Sequence, residues 1–261
     1  MGFYRERELA VEIAQACRVL GAYDMTFGAL GHISYRLDDG DTILIKGKGP
    51  NEVGLRYTRP RDIIKVDLDA NMVDGPDDLQ PPSESFLHLA IMKARPEVRS
   101  VVHVHAEYSV LLSITGKEIY QSFASFRPGS NFARQGIPIY PKSRTIGTPE
   151  LGEEFAAAMG DKNVAIMTGH GIASAGPGIE QATMNALSLE TMCAMTYKAY
   201  AIGTPIPLAD ADAPADRPAQ PEGVRRPRGS AGGVEGMMAT WRYYLSMADE
   251  RLAHSGIRDD D

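Results

Sequence analysis

Two histidines one residue apart, His103-Val104-His105, interrupt an apolar run that begins at Val101. Side chains on a strand alternate between faces, so the pair points to one side, about 7 Å apart along the backbone. Two imidazoles buried without partners cost free energy, and one shared cation resolves both. A third histidine, His170, stands between Gly169 and Gly171, where backbone must approach a neighbour closely. Glu84 follows Pro81-Pro82-Ser83 at a predicted helix start. A helix dipole favours an acid there in any case, but beside a cation the same carboxylate can move protons. These residues support a divalent-metal site of His103, His105 and His170 with Glu84 as its acid/base group, and hence an enzyme. Of the other histidines, His88 lies one turn after Glu84 and reads as structural, within reach of a site; His254 reads as solvated.

The elements that position these residues follow from periodicity and punctuation. A first helix is expected over 4–20, with Leu9, Ile13, Ala16 and Leu20 as its apolar stripe and Gly21 as its cap. Strands are expected from His32, over 42–46 after the turn Asp38-Asp39-Gly40-Asp41, and over 62–68. A helix over 83–94 stopped by Pro96, the histidine strand and a helix over 107–114 come next. Residues 123–136 read as a long loop and 137–140 as an edge strand. Thr148 and Pro149 open a helix as N-cap and first residue, 163–167 is a buried strand, and 179–201 a long helix striped by Ala182, Ala186, Leu189, Cys193 and Tyr197. Pro, Ala, Asp and Gly then dominate 206–234, a linker or arm, before an amphipathic helix and tail over 235–261 that carries Trp241, Leu245, Ala248 and Leu252 on one face. Early strands followed by helix–strand alternation predict an α/β fold with a mixed sheet.

With 261 residues the chain can bury a substantial single core. A net charge of −7 argues against nucleic acid as a partner. No apolar run approaches the roughly 18 residues of a membrane span. Residues 1–8 lack the apolar stretch of a signal peptide, and Glu6 breaks a myristoylation pattern. Cys17 and Cys193 sit among apolar neighbours and read as buried free thiols of a cytoplasmic protein.

Taken together, Gly31-x-x-Ser34-x-Arg36, Pro82-Ser83-Glu84, His103-Val104-His105 and Gly169-His170-Gly171 resemble the class II aldolase/adducin family over about residues 5–205. The resemblance implies a catalytic domain over 1–205, a three-layer α/β/α sandwich with a central, mainly antiparallel mixed sheet. It further implies a homotetramer with sites near subunit interfaces, and one divalent ion per subunit on the three histidines. Imidazole ligands suit Zn2+ or Mn2+, with Fe2+ and Co2+ open.

The departures narrow the substrate. The family's sugar-phosphate aldolases carry Gly-Asn-x-Ser where this chain has Gly31-His32-Ile33-Ser34, and Ser-Ser-Glu where it has Pro82-Ser83-Glu84. Proline removes a hydroxyl and a backbone N–H, both phosphate donors. A small Thr-Gly loop is replaced by Lys46-Gly47-Lys48-Gly49-Pro50-Asn51-Glu52. That stretch, with His32, is similar to the decarboxylase branch, which acts on hydroxylated aromatic or pyridine dicarboxylates in aromatic catabolism. Dihydroxyphthalate and 3-hydroxy-2-methylpyridine-4,5-dicarboxylate are examples. Arg127, among Phe123 and Phe126, suits a flat anionic ring. On this reading a ring hydroxyl and a neighbouring oxygen chelate the ion, Glu84 protonates the ring carbon, and the cation stabilises the electron pair that CO2 leaves behind. His32, Ser83, Lys46, Lys48 and Arg127 bind the second carboxylate. The alternatives are an aldolase acting on an unphosphorylated hydroxy-keto (sugar) acid and an adducin-like interaction module, which would have no use for three histidines and a glutamate.

Overall fold

Helix α1 (Gly2–Ala22) forms where apolar residues recur at helical spacing, and Leu9, Ile13, Ala16 and Leu20 are all buried. Gly21 is not its cap but lies inside the last turn, and glycine is required there because a Cβ would stand 2.4 Å from the Arg56 backbone nitrogen. The computed structural model describes residues 2–120, 132–206, 234–253 and 256. After α1 come β1 (His32–Arg36), β2 (Thr42–Lys46), β3 (Ile63–Asp67), β4 (Met72–Asp74), α2 (Ser85–Ala94) and β5 (Ser100–Val104). The chain continues through α3 (Glu107–Thr115), α4 (Phe132–Gln135), β6 (Ile139–Tyr140), α5 (Pro149–Met159) and β7 (Val164–Met167). β8 (Gly171–Gly176), α6 (Ile179–Ile202) and α7 (Val234–Leu252) complete it.

The strands form one eight-stranded sheet in the order β4-β3-β2-β1-β5-β8-β7-β6. Only β6–β7 is parallel. Strand alternation splits the core in two. Ile33, Tyr35, Leu44, Val102, Val104 and Ile172 pack under α1, α3, α6 and α7. Ile43, Ile45, Val101, Ala173 and Ala175 pack on the other face against Leu87, Ile91, Phe155 and Met159 of α2 and α5. The result is the expected three-layer α/β/α sandwich with a mainly antiparallel mixed sheet.

Three elements differ from the sequence expectation. β8 was not expected at all, yet it lies between β5 and β7 near the sheet centre with all six residues buried. Its Gly-Ile-Ala-Ser-Ala-Gly sequence shows no polar alternation, because α6 presses on it: Asn185 donates to the Ala175 carbonyl at 2.9 Å and Ser174 to that of Ala182 at 2.7 Å. β4 is a three-residue exposed edge strand that the sequence did not lead us to expect. α4 occupies 132–135 of the expected loop 123–136, of which 123–131 lie outside the described residues. In α6 the apolar stripe ends at Cys193; Thr196 is buried, whereas Tyr197 is 42 % exposed.

α7 docks on this chain's own α1. Trp241 and Ala248 are buried, and Arg251 donates to the Ala22 carbonyl at 2.7 Å while lying 4.3 Å over the Tyr23 ring. The expected arm, 206–234, falls outside the described residues except at its two ends. Cys17 and Cys193 are free and buried, and burial pushes both thiols up to about 12. Among the described residues no helix is long and apolar enough to cross a membrane.

Candidate metal centre

β1 and β5 pair antiparallel, with His32 opposite His103 and Ser34 opposite Val101. Val102 and Val104 face α6, so His103 and His105 face α2. Their Nε2 atoms are 3.1 Å apart. His103 Nδ1 donates to the Ile172 carbonyl at 2.9 Å, and that bond fixes the tautomer: in the neutral ring, Nε2 is a bare acceptor turned toward the cluster.

Glu84 occupies the N-cap position of α2 but makes no capping bond. Instead its Oε1 accepts the Ile146 backbone N–H at 3.0 Å, which turns Oε2 to within 3.0 Å of His103 Nε2 and 3.6 Å of His170 Nε2. His170 sits in the turn between β7 and β8. Gly169, at φ 64°, anchors that turn by donating to Ser113 Oγ at 3.0 Å and accepting from Ser143 Oγ at 3.2 Å. Gly171 admits no side chain, since a Cβ would lie 2.6 Å from the Val104 carbonyl oxygen and 3.0 Å from His105 Cδ2.

One donor atom each from Glu84, His103, His105 and His170 thus falls within 4.8 Å of the others. Converging lone pairs repel unless a positive charge lies among them. Three imidazoles with a carboxylate beside them fit a divalent transition ion, with the Ile172 carbonyl orienting His103 and the Ile146 N–H orienting Glu84 from behind. The electrostatics agree. Burial, with His103 and His170 close by, pushes His105 down to about 4, which keeps it a neutral ligand. Burial alone would raise the Glu84 pKa, but His103, His170 and His32 outweigh it and hold the carboxyl below its usual range. Burial would lower that of His170, but Glu84 outweighs it and raises it.

Behind the cluster lies a chain of buried polar groups that sequence reasoning did not assemble. His88 Nε2 is 2.7 Å from His32 Nδ1, and His88 Nδ1 is 2.6 Å from Ser34 Oγ. Burial lowers the pKa of both rings, His88 to about 3. The available signals were the even spacing of His32 and Ser34 on a strand and the one-turn spacing of Glu84 and His88 on a helix.

On the β2 side a cavity of about 120 Å³ is lined by His32, Lys46, Lys48, Ser83, Glu84 and His105. Lys48 Nζ donates to Ser83 Oγ at 2.7 Å, forming a compact set of anion donors beside His32. Lys46 lines the same cavity, but its ammonium is paired with the Glu52 carboxylate and donates to the Gly47 carbonyl at 3.2 Å. A wider, open cavity of about 840 Å³ adjoins His105 and His170, with Phe27, Leu30, Val110 and Ile114 in its wall. The structure therefore brings together Glu84, the three cluster histidines, His32, Ser83, Lys46 and Lys48. Arg127 lies outside the described residues.

The chain is similar to known proteins over most of its length. The 3,4-dihydroxyphthalate decarboxylase of Terrabacter sp. (strain DBF63) is 35 % identical over 219 residues, covering 82 % of this chain and 88 % of that protein. The L-fuculose phosphate aldolase of Escherichia coli (strain K12) is 28 % identical over 205 residues, covering 77 % and 88 %. Among solved structures, an L-fuculose 1-phosphate aldolase from Glaciozyma antarctica PI12 superposes with a TM-score of 0.75 at 19 % identity, over 97 % of this chain and 93 % of that one, and shares its fold. The Class II Aldolase and Adducin N-terminal domain matches residues 11–197, and the chain belongs to that family.

Proposed function

We propose that this protein is a divalent-metal-dependent decarboxylase of a hydroxylated aromatic or pyridine dicarboxylate, of the dihydroxyphthalate or 3-hydroxy-2-methylpyridine-4,5-dicarboxylate type. The observation that carries this reading is the Lys48–Ser83–His32 anion seat set directly beside the histidine cluster. It is supported by 35 % identity to a 3,4-dihydroxyphthalate decarboxylase. The seat takes the carboxylate that stays, through charge-assisted bonds. Ser34 and His88 hold the His32 ring at a fixed angle to that seat. Phe27, Leu30 and Ile114 offer apolar surface to the ring.

A divalent ion held by His103, His105 and His170 supplies a Lewis acid for the electron pair released when the bond to the departing carboxylate breaks. Glu84, ionised in the resting site, takes the proton of the ring hydroxyl and returns it from Oε2 to the ring carbon that bears that carboxylate. Loss of CO2 restores the aromatic ring, and solvent returns a proton to the hydroxyl oxygen. The Ile146 N–H keeps Oε1 occupied throughout, so one oxygen handles both transfers. Zn2+ or Mn2+ is the metal expected, and metal analysis of the purified protein distinguishes them from Fe2+ and Co2+. A homotetramer with subunit contacts near the site is the assembly expected from family membership, a point for light scattering.

The deciding experiment measures CO2 release from hydroxylated phthalates and pyridine dicarboxylates with Mn2+ or Zn2+ supplied and an EDTA control. Metal-dependent release is expected. No release from metal-loaded protein would overturn the reading in favour of aldol cleavage of an unphosphorylated hydroxy-keto acid, which the 28 % identity to an aldolase keeps as the second reading.

A further inference from the structure

The small cavity holds two lysines, yet they are not equivalent. The Lys46 side chain is 4 % exposed and its ammonium is matched by Glu52, itself 19 % exposed. Lys48 faces Ser83 and has no acid partner among the described residues. Glu52 is held in place by a tight turn: its N–H donates to the Gly49 carbonyl at 3.1 Å, and a Cβ at Gly49 would stand 2.4 Å from the Asp78 carbonyl oxygen. The backbone that carries the carboxylate is therefore held in place, and the ion pair with Lys46 engages its side chain. Apart from Glu84, which faces the metal cluster, the charged groups lining this cavity are Lys46, Lys48 and Glu52. Together they offer an incoming anion one net positive charge, not two. That matches a carboxylate, which carries one negative charge, and falls short of a phosphate monoester, which carries close to two at neutral pH.

We infer that Glu52 is a specificity-determining residue, which cancels the charge of Lys46 and so sets the seat to accept a carboxylate in preference to a phosphate monoester. This rests on the reading of the cavity as the seat for the substrate's second anion. Lys46 keeps one ammonium N–H for a ligand, but its charge is already matched. Freeing that charge helps a dianion more than a monoanion, because the Coulomb energy scales with the ligand's charge. The inference concerns binding alone and is independent of which bond the enzyme breaks.

The test uses the full-length, Zn2+-loaded protein and two ligands that share one ring, benzoate and phenyl phosphate, titrated calorimetrically at pH 7.5. In Glu52→Gln the affinity for phenyl phosphate should rise over that for benzoate by about tenfold relative to wild type, equivalent to about 1.4 kcal/mol. Adding Lys46→Met to Glu52→Gln should abolish the shift. If Glu52→Gln does not fold, Glu52→Asp, which shortens the reach to Lys46, should shift the ratio the same way by a smaller factor. Equal changes for both ligands, or a shift that survives the loss of Lys46, would overturn the inference. CO2 release is assayed in parallel on wild type. A ratio shift without decarboxylation supports Glu52 and counts against the decarboxylase, whereas decarboxylation without a ratio shift does the reverse.

Discussion

His32 stands directly opposite His103 across the β1–β5 pair, with the two ring centroids 5.2 Å apart. A residue of the proposed anion seat and a residue of the candidate metal cluster are therefore spaced by backbone hydrogen bonds, not by flexible side chains. The separation between the proposed metal centre and anion seat is a property of strand register, and a slip of one residue in β1 would send the His32 ring to the face opposite His103.

His103→Asn should lose the ion. Metal content is expected to fall from about one to below about a tenth per chain, with turnover down on the order of a thousandfold, since the Lewis acid contributes several kcal/mol. Mass-spectrometric metal analysis together with CO2 release checks this. Full metal content in the variant would remove His103 from the ligand set.

Glu84→Gln keeps the shape of the side chain and its contact with the Ile146 N–H. It is expected to retain most of its metal and to lose turnover by roughly 10²–10⁴, the usual range for a general acid/base. Near-normal turnover would assign proton transfer to another group.

Gly171→Ala places a methyl 2.6 Å from the Val104 carbonyl oxygen and 3.2 Å from His103 Cε1. Overpacking of this kind costs about 1–3 kcal/mol. Because the displaced groups include two of the proposed metal ligands, affinity for Zn2+ should drop at least about tenfold, in line with the effect of disturbing ligand supports. Competition with a chromophoric chelator measures it, and an unchanged affinity would show that the turn can yield.

Stability of the metal-free protein should fall in acid. Burial, with His103 beside it, pushes His88 down to about 3, whereas in an unfolded chain it titrates near its ordinary value of about 6.5. Between those limits the unfolded state binds a proton that the folded state refuses. The stability this neutral ring contributes is thus complete above about pH 6.5 and is lost as pH falls toward 3, by up to about 1.4 kcal/mol per pH unit. His105, pushed down to about 4, acts in the same direction. Urea unfolding in EDTA at pH 7.5 and 5.5 should give a lower midpoint at 5.5. His88→Gln should flatten the dependence, and an identical slope in that variant would exclude His88 as its source.

The chemistry was more legible in the sequence than the geometry behind it. His103 and His105 announce themselves because imidazoles are costly in a buried strand. Thr148-Pro149 marks the start of α5 correctly, with Thr148 Oγ1 accepting from the Leu151 N–H at 3.4 Å. β8 was not legible, since its short run of small residues reflects contact with α6, a tertiary cause with no local pattern. The Ser34–His88–His32 chain joins residues up to 56 positions apart and needs the strand register to be seen. Lys46 and Lys48 are indistinguishable as cations in the sequence; only the fold reveals that one of them faces Glu52.

The position of β8 inside the sheet also dictates when in the life of the chain the proposed metal centre can be complete. His103 and Ile172 are 69 positions apart and meet only when β8 has inserted between β5 and β7. Closing so long a loop is among the slower steps of folding. A nascent chain that ends before His170 lacks both that histidine and the Ile172 carbonyl that sets the His103 tautomer. On the proposed reading, a metal ion bound through all three histidines reports a finished sheet, whereas an empty centre leaves the state of the sheet open.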